Sequence, residues 1–312
     1  METSKNLILL LDGSSLIYRA FYAMPRFTSS QGKPTGAVLG FGNMLLRLIE
    51  DFNPFSLITT FDHPQKTFRH QLTEEYKAQR KPMPDELIPQ VQLVKDLIDS
   101  FSLKWIEVPG FEGDDIIGSL RHQIPEQFTT AMVSSDLDLL QLVNEKTILL
   151  QPVKGVTQLK IIDKNTLIDQ YGLTPQQIID FIALTGDPSD NIPGLPGIGE
   201  KTALDLLKRY HNWQGILRHH DELPVRIQKA IQEFIEQVEL SLQLVTIIDT
   251  IPLDINFQSW NFQQVQWKSL FTLLDELGLV RFKERLMKKR NEIYQKTLPF
   301  FSNNPKKRGE EL

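Results

Sequence analysis

Three carboxylates crowd one short stretch, GFEGDDIIGSL at residues 110–120: Glu112, Asp114 and Asp115, directly ahead of an apolar helical pattern at Ile116, Ile117 and Leu120. Asp136 and Asp138 form a further close pair, and Asp187 and Asp190 in TGDPSDN another. One acid is enough to cap a helix N-terminus, where first-turn acids gain about 0.3–1 kcal/mol from the helix dipole. A triplet and two pairs exceed that need. Two such charges about 4 Å apart repel by about 4 kcal/mol at an effective dielectric of about 20, so something cationic must hold them together. Hard oxygen ligands without Cys or a recognised His spacing suit Mg²⁺ or Mn²⁺ rather than zinc. Clustered carboxylates that hold two such ions are the arrangement used for in-line attack of water on a phosphodiester.

The elements that must position these acids are legible as alternating runs. Asp12 follows the apolar run NLILLL (6–11), and Asp62 follows FSLITTF (55–61). The triplet comes shortly after SLKWIEV (102–108), Asp136 and Asp138 come just after TTAMVSS (129–135), and a fifth run is TILLQPV (147–153). Between most of them lie helix-length segments such as GAVLGFGNMLLRLIEDF (36–52) and PQVQLVKDLIDSF (89–101). The alternation predicts an α/β domain over residues 1–165 with a mostly parallel central sheet. Ligands of such sheets bind outside the carboxyl ends of the strands, so the acids are expected to converge on one edge. From about residue 163 helical patterns take over: KNTLIDQY, TPQQIIDFIAL, GEKTALDLLKRY and a long amphipathic stretch from 224 to 248. A helical region over 166–290 is predicted, with Asp187 and Asp190 between two of its helices, followed by a disordered polar tail at 291–312.

Residues 63–90, HPQKTFRHQLTEEYKAQRKPMPDELIPQ, are too long for an ordinary strand-to-helix connection. Lys66, Arg69, Lys77, Arg80 and Lys81 alternate there with Phe68 and Tyr76, the mixture expected where a backbone is neutralised and bases are stacked. A solvated surface excursion is the plainer alternative. The stretch NIPGLPGIGEKTALDLLKRY (191–210) is not a nucleotide-triphosphate loop, because Glu200 separates Gly199 from Lys201 and no strand precedes it. It reads as a helix, a tight G-I-G hairpin and a second helix, whose backbone N–H groups can grip a DNA phosphate without reading sequence. A plain helix turn is the alternative.

Composition bounds the rest. The chain has 312 residues, 41% hydrophobic and 23% charged, enough for one large or two modest domains with real cores. No apolar run approaches the roughly 18 residues of a membrane span, and Asp12 cuts short the N-terminal LILLL, so a cytoplasmic protein without a membrane anchor is expected. The absence of cysteine excludes disulfides, thiolate nucleophiles and cysteine-ligated zinc. The formal charge is −5; without the nine acids named above the remainder carries +4, so the acidic balance does not exclude a nucleic-acid substrate.

Taken together, LLDGSSLIYRAFYA, TTFDHPQKTFRHQLTEEYKAQR, VPGFEGDDIIGSL, SSDLDLLQLV and ALTGDPSDNIPGLPGIGEKTA resemble the 5′-nuclease family: the N-terminal 5′→3′ exonuclease domain of bacterial DNA polymerase I, with phage and flap-endonuclease relatives. The resemblance implies a sheet flanked by helices of the PIN/5′-nuclease type, a helical arch at about 63–90 and a helix-hairpin-helix at about 191–210. It implies Asp12, Asp62, Glu112, Asp114 and Asp115 as ligands of a first metal region, and Asp136, Asp138, Asp187 and Asp190 as those of a second. Asp12, Asp62 and Asp115 would carry the chemistry with Lys77 and Arg80. Tyr76, Lys77 and Arg80 match the arch motif that engages the displaced strand and scissile phosphate, and Arg19, Lys66 and Arg69 fall at basic positions near the substrate. Gly197, Gly199, Lys201 and Thr202 match the duplex-gripping hairpin, which in relatives is helped by a bound K⁺.

The implied activity is a Mg²⁺- or Mn²⁺-dependent, two-metal 5′→3′ exonuclease and flap endonuclease in replication and repair. Its substrates would be DNA with a 5′ flap or 5′ end and RNA primer hybrids; a monomer is expected, with a DNA polymerase as partner. Two departures stand out. The family commonly has Asp-Lys-Asp where this chain has Asp136-Leu137-Asp138, and no room for a polymerase domain follows KKRGEEL, so a stand-alone nuclease or an excised domain is expected. The rivals are a non-catalytic junction-binding module with a vestigial metal site, which should have lost acids, and a metal-dependent phosphatase, which has no use for the basic segment or hairpin. Alanine at Asp114 or Asp115 is expected to abolish cleavage with folding intact.

Overall fold

The computed structural model describes residues 6–24, 27–154, 158–255 and 265–297. All of β1 (Leu7–Asp12) is buried. Leu7, Leu9 and Leu11 join one apolar cluster while Ile8 and Leu10 join another. Successive strand side chains point to opposite faces, so an unbroken apolar run is what a central strand covered on both sides requires.

Along the chain follow α1 (Gly13–Ala23), α2 (Gly36–Phe52), β2 (Ser56–Thr60), α3 (Phe68–Leu72), α4 (Ile88–Ser100), β3 (Lys104–Ile106), α5 (Gly113–Gln123), β4 (Thr129–Val133), β5 (Thr147–Lys154) and β6 (Gln158–Ile162). The sheet runs β3-β2-β1-β4-β5-β6. All neighbours are parallel except β5 and β6, which pair antiparallel. The sequence reading missed β6, because QLKII is short, alternates weakly and lies half-open at the sheet edge. The chain leaves β1 for β2 and β3 on one side and then crosses to β4 on the other, so the crevice between the carboxyl ends of β1 and β4 is a topological switch point. Gly13 makes the turn from β1 into α1 possible: a Cβ there would meet the Phe61 ring at 2.6 Å and the Thr60 carbonyl at 2.7 Å.

The helical region comprises α6 (Lys164–Tyr171), α7 (Gln177–Thr185), α8 (Glu200–Tyr210), α9 (Trp213–Arg218), α10 (Val225–Val245), α11 (Trp267–Glu276) and α12 (Val280–Thr297). It is not one unit. Helices α5 to α10 cover one face of the sheet through residues such as Ile116, Ile178, Leu206 and Ile231. Trp267, Leu270, Leu274, Phe282 and Leu286 of α11 and α12 instead join the opposite core with α1, α2 and α4. Arg285 donates to Asn43 and Lys289 pairs with Glu50 at 2.6 Å, fixing α12 along α2. The predicted tail therefore starts as helix, and residues 298–312 lie outside the described residues.

The segment expected to form a helical arch holds, between β2 and α4, one short helix, α3, and a run of turns at residues 74–79. Its larger side chains explain why: Arg69 and Tyr76 are buried against the body of the protein, which draws the segment down. Among the described residues no helix is long and apolar enough to cross a membrane.

Candidate active site

Asp12 ends β1 and caps α1. One carboxylate oxygen accepts from the Ser15 N–H at 2.9 Å and the other from the Ser134 hydroxyl at 2.6 Å. Asp62, just beyond β2, receives the Gly113 N–H on Oδ1 at 2.8 Å, and its own N–H donates to the Ser14 hydroxyl at 2.9 Å. Asp114 lies in the first turn of α5. Asp136 follows β4; its N–H donates to Ser134 and its Oδ1 accepts from the Asp138 N–H, both at 2.9 Å. These four acids line one cleft of about 790 Å³, with Arg19, Lys77 and Arg80 on its walls. They lie at the carboxyl ends of β1, β2 and β4 and at the start of α5.

Crowding shows in their proton affinity. Burial, then the charge of Asp62, pushes Asp12 up to about 7, against the hydrogen bonds from Ser134 and Ser15. Burial and the charges of Asp12, Asp136 and Asp62 raise Asp114 well above the ordinary carboxylate range. Burial likewise raises Asp136, and burial with Asp136, Asp190 and Asp187 pushes Asp138 up to about 8.

A folded-state value above the unfolded one means that proton binding favours the fold. That contribution is complete below about pH 4 and is lost as pH rises through about 7–8. The metal-free protein is therefore expected to lose on the order of 5 °C in melting temperature between about pH 6 and pH 9, with millimolar Mg²⁺ restoring most of it. Calorimetry across that window checks this. A flat profile, unchanged by Mg²⁺, would contradict the charge crowding.

Oxygen-only donors with raised proton affinity fit a hard divalent cation. Among the described residues no three His, Asp or Glu side chains are gathered closely enough to enclose an ion by themselves. An ion that keeps most of its waters and touches one or two carboxylates, as Mg²⁺ does, suits so open a cleft.

Several predicted ligands stand elsewhere. Asp115 is fully buried and turned away from the cleft. Its carboxylate receives two hydrogen bonds from Arg69, at 2.7 and 2.8 Å, plus the backbone N–H groups of Glu112 and Ile248. Asp115, expected among the cleft acids, therefore lies outside the residues that line the cleft. A side chain with every acceptor direction filled is a structural anchor. Glu112 borders the cleft but is bound by Lys77 at 2.8 Å and by the Tyr76 hydroxyl at 3.0 Å. Asp190 is bound by Arg80, and Asp187 accepts from Ser189. Asp138 sits beside Asp136 in the short 3₁₀ turn Asp138–Leu142.

The expected nucleic-acid contacts divide in the same way. Arg69 is 3% exposed and also donates to the carbonyls of Leu244 and Thr246, so it faces the interior. Tyr76 is 3% exposed and packs near Ile192, Leu244 and Val245, which leaves no ring face for a base. Lys77 and Arg80 reach the cleft, Arg19 donates to the Ser135 hydroxyl at 3.2 Å, and Lys66 is exposed. Burial opposes the charge of Lys77, yet Glu112 and Asp190 outweigh it and raise its proton affinity. In the hairpin, helices α7 and α8 are joined by residues 186–199, a longer connection than the tight turn expected. Gly197 takes φ +79°, Gly199 caps α8, and Lys201 and Thr202 stand in the first turn of α8. The sequence reading missed Ser134, which bonds Asp12 and Asp136, and Asn191, which ties residues 187–192 to the basic segment. Asn191 adopts φ 55°, a conformation Asn tolerates, and its place after PSD was the available signal.

Known proteins match this arrangement along almost the whole chain. Residues 7–172 match the 5′-3′ exonuclease N-terminal resolvase-like domain, and residues 173–268 the 5′-3′ exonuclease C-terminal SAM fold. A 5′-3′ exonuclease of Aquifex aeolicus is 33% identical over 92% of this chain and 96% of its own length. DNA polymerase I of Bacillus subtilis is 36% identical over 91% of this chain, which spans only 32% of that polymerase. Among solved structures, the T5 D15 protein co-crystallised with metal ions superposes with a TM-score of 0.64 at 16% identity, covering 92% of this chain and 99% of that one. Flap endonuclease-1 from Methanococcus jannaschii gives a TM-score of 0.64 at 15% identity, covering 95% and 94%. At those identities the superpositions speak for the fold. With both of its domains matched in order and the acids at its strand ends gathered in one cleft, the chain belongs to the 5′-3′ exonuclease family of nucleases.

Proposed function

We propose that the protein is a structure-specific, divalent-metal-dependent 5′→3′ exonuclease and flap endonuclease that hydrolyses DNA and RNA-primer phosphodiesters near a duplex–flap junction. The observation that carries this is the placement of Asp12, Asp62, Asp114 and Asp136 at the ends of β1, β2 and β4 and the start of α5, facing Lys77 and Arg80 across one cleft. Two bound Mg²⁺ or Mn²⁺ ions would supply an acidified water and charge neutralisation at the reacting oxygens. Asp12, Asp62, Asp114 and Asp136 would hold those ions. Lys77, Arg80 and Arg19 would orient the scissile phosphate by charge-assisted hydrogen bonds. The N-terminus of α8, with Gly199, Lys201 and Thr202, would take a duplex phosphate on free backbone N–H groups.

A K⁺ at the hairpin, Gly197–Lys201, would add to the grip of the α8 N-terminus on a duplex phosphate. Leu137, 40% exposed beside Asp136 and Asp138, offers no charge where relatives carry a lysine, which weakens one phosphate contact. The polymerase relatives support a DNA polymerase as partner and a role in replication and repair.

The test is a 5′-labelled flap duplex incubated with wild type and Asp136→Asn in Mg²⁺, Mn²⁺ and EDTA. Metal-dependent products at the junction from wild type alone are expected. Flap binding without cleavage in any metal would instead identify a DNA-junction reader.

A further inference from the structure

We propose that Lys77 and Arg80 are built-in counter-cations of Glu112 and Asp190, so that a divalent ion and a substrate phosphate load this cleft cooperatively rather than independently. The inference deepens the nuclease reading and rests on it. It starts from a division among the acids. Asp114, in the cleft, has no hydrogen-bond donor or ion-pair partner among the described residues. Glu112 and Asp190 differ: each of their four carboxylate oxygens is taken. Lys77 Nζ stands 2.8 Å from Glu112 Oε1 and 3.6 Å from Asp190 Oδ2. The Tyr76 hydroxyl donates to Glu112 Oε2 at 3.0 Å, with Arg69 Nη1 3.4 Å from the same oxygen, and Arg80 donates to Asp190 Oδ1. An external cation at those oxygens competes with the internal ones.

The backbone is arranged to hold the internal cations there. Lys77 adopts φ 56°, a left-handed conformation a lysine rarely takes. Its N–H donates to the Asp190 carbonyl at 3.0 Å, which brings side chain and main chain together onto one residue. Asn191 clasps the same turn from the other side: its amide donates to the Glu75 carbonyl at 2.8 Å and accepts from Gln79 at 2.8 Å. The basic segment and the turn ahead of the hairpin are thus latched to each other.

A phosphate group offers Lys77 and Arg80 the charge-assisted hydrogen bonds that Glu112 and Asp190 now provide. Once a phosphate draws the two cations away, the carboxylates are left without counter-charge and attract a divalent ion. Coupling of this kind is reciprocal, so bound metal must in turn tighten the binding of phosphate.

The test reads metal binding, not turnover. Free Mn²⁺ is followed by its EPR signal during titration of the full chain, with and without a 5′-flap duplex carrying hydrolysis-resistant phosphorothioates across the junction. Lys77→Met is expected to bind Mn²⁺ about tenfold more tightly than wild type without DNA. Wild type should gain a similar factor when the duplex is added, and Lys77→Met should gain little. Lys81→Met is the control for a general field effect, because Lys81 lines the same cleft but pairs with no acid among the described residues; it should change Mn²⁺ affinity less than about twofold. Arg80→Met supplies a second, more exposed route to the same shift should Lys77→Met fold poorly. Unchanged or weaker Mn²⁺ binding in both variants, or a shift as large in Lys81→Met, overturns the proposal. Cleavage of an unmodified flap by wild type, measured alongside, separates the two failures: cutting without the affinity shift rejects the counter-cations alone, and the shift without cutting rejects the nuclease reading.

Discussion

Asp114→Asn is expected to reduce cleavage of a 5′-flap duplex by at least about 10³-fold while the metal-free protein melts higher than wild type. The two effects share one cause. Asp114 is held among Asp12, Asp136 and Asp62, and burial with those three charges raises its proton affinity well above the ordinary range. No hydrogen-bond donor or ion-pair partner among the described residues compensates it. A carboxylate kept in that state destabilises the fold, and an amide of the same shape relieves about 1 kcal/mol or more, or roughly 2–4 °C. Metal-assisted charge stabilisation amounts to several kcal/mol, and each 1.36 kcal/mol is about tenfold in rate, so losing one ligand suffices for about 10³-fold. Initial rates on a labelled flap, paired with calorimetry of the metal-free proteins, check both halves. Near-normal cleavage would remove Asp114 from the catalytic set; a lower melting temperature would reassign it to the scaffold.

The opposite outcome is expected at Arg69. Arg69→Ala should lose about 3–5 kcal/mol of stability, or on the order of 10 °C, because it leaves the fully buried Asp115 carboxylate without its counter-charge. The guanidinium also donates to the carbonyls of Leu244 at 2.7 Å and Thr246 at 2.9 Å, while Asp115 accepts from the Ile248 N–H at 2.9 Å. One ion pair therefore fastens the end of α10 to the start of α5, the helix that carries Asp114. Arg69→Lys should recover little, since an ammonium cannot make the planar two-pronged contact. Replacing both partners with apolar residues, as in Arg69→Met with Asp115→Leu, should recover much of the stability, because the pair's cost when broken exceeds its net worth when intact. Hydrogen exchange at residues 244–251 would rise in Arg69→Ala ahead of the rest of the protein. A variant melting within about 1 °C of wild type would return Arg69 to the surface role its charge first suggested.

The contrast between Asp114 and Asp115 measures how far the sequence could be read. Both precede the same apolar helical pattern, and spacing alone treats them as one cluster. In α5 they point to different sides, Asp114 into the cleft and Asp115 into the junction with α10. The partner that decides the matter, Arg69, is 46 residues away in sequence, and the carbonyl behind it at Leu244 is 175 residues from Arg69. No local pattern encodes such a meeting. Tyr76 misled in a similar way: an aromatic among cations reads as a stacking surface, but its ring is buried and only its hydroxyl reaches the acids.

By itself the sequence determined five of the six strands and the parallel character of the sheet. An apolar run such as LILLL suits the centre of a parallel sheet, and acids at or within three residues of the ends of β1, β2 and β4 then emerge on the same edge. The proposed ligand class also rests on the sequence, since a chain without cysteine and with clustered carboxylates leaves hard cations as the fitting partners. Tertiary structure alone decided which acids stay open, which are neutralised by Lys77, Arg80 and Arg69, and why α11 and α12 return to the far side of the sheet. The physical reason is range: periodicity within a segment sets burial and strand or helix, whereas the charge state of a carboxylate depends on what the folded chain brings within a few ångströms of it.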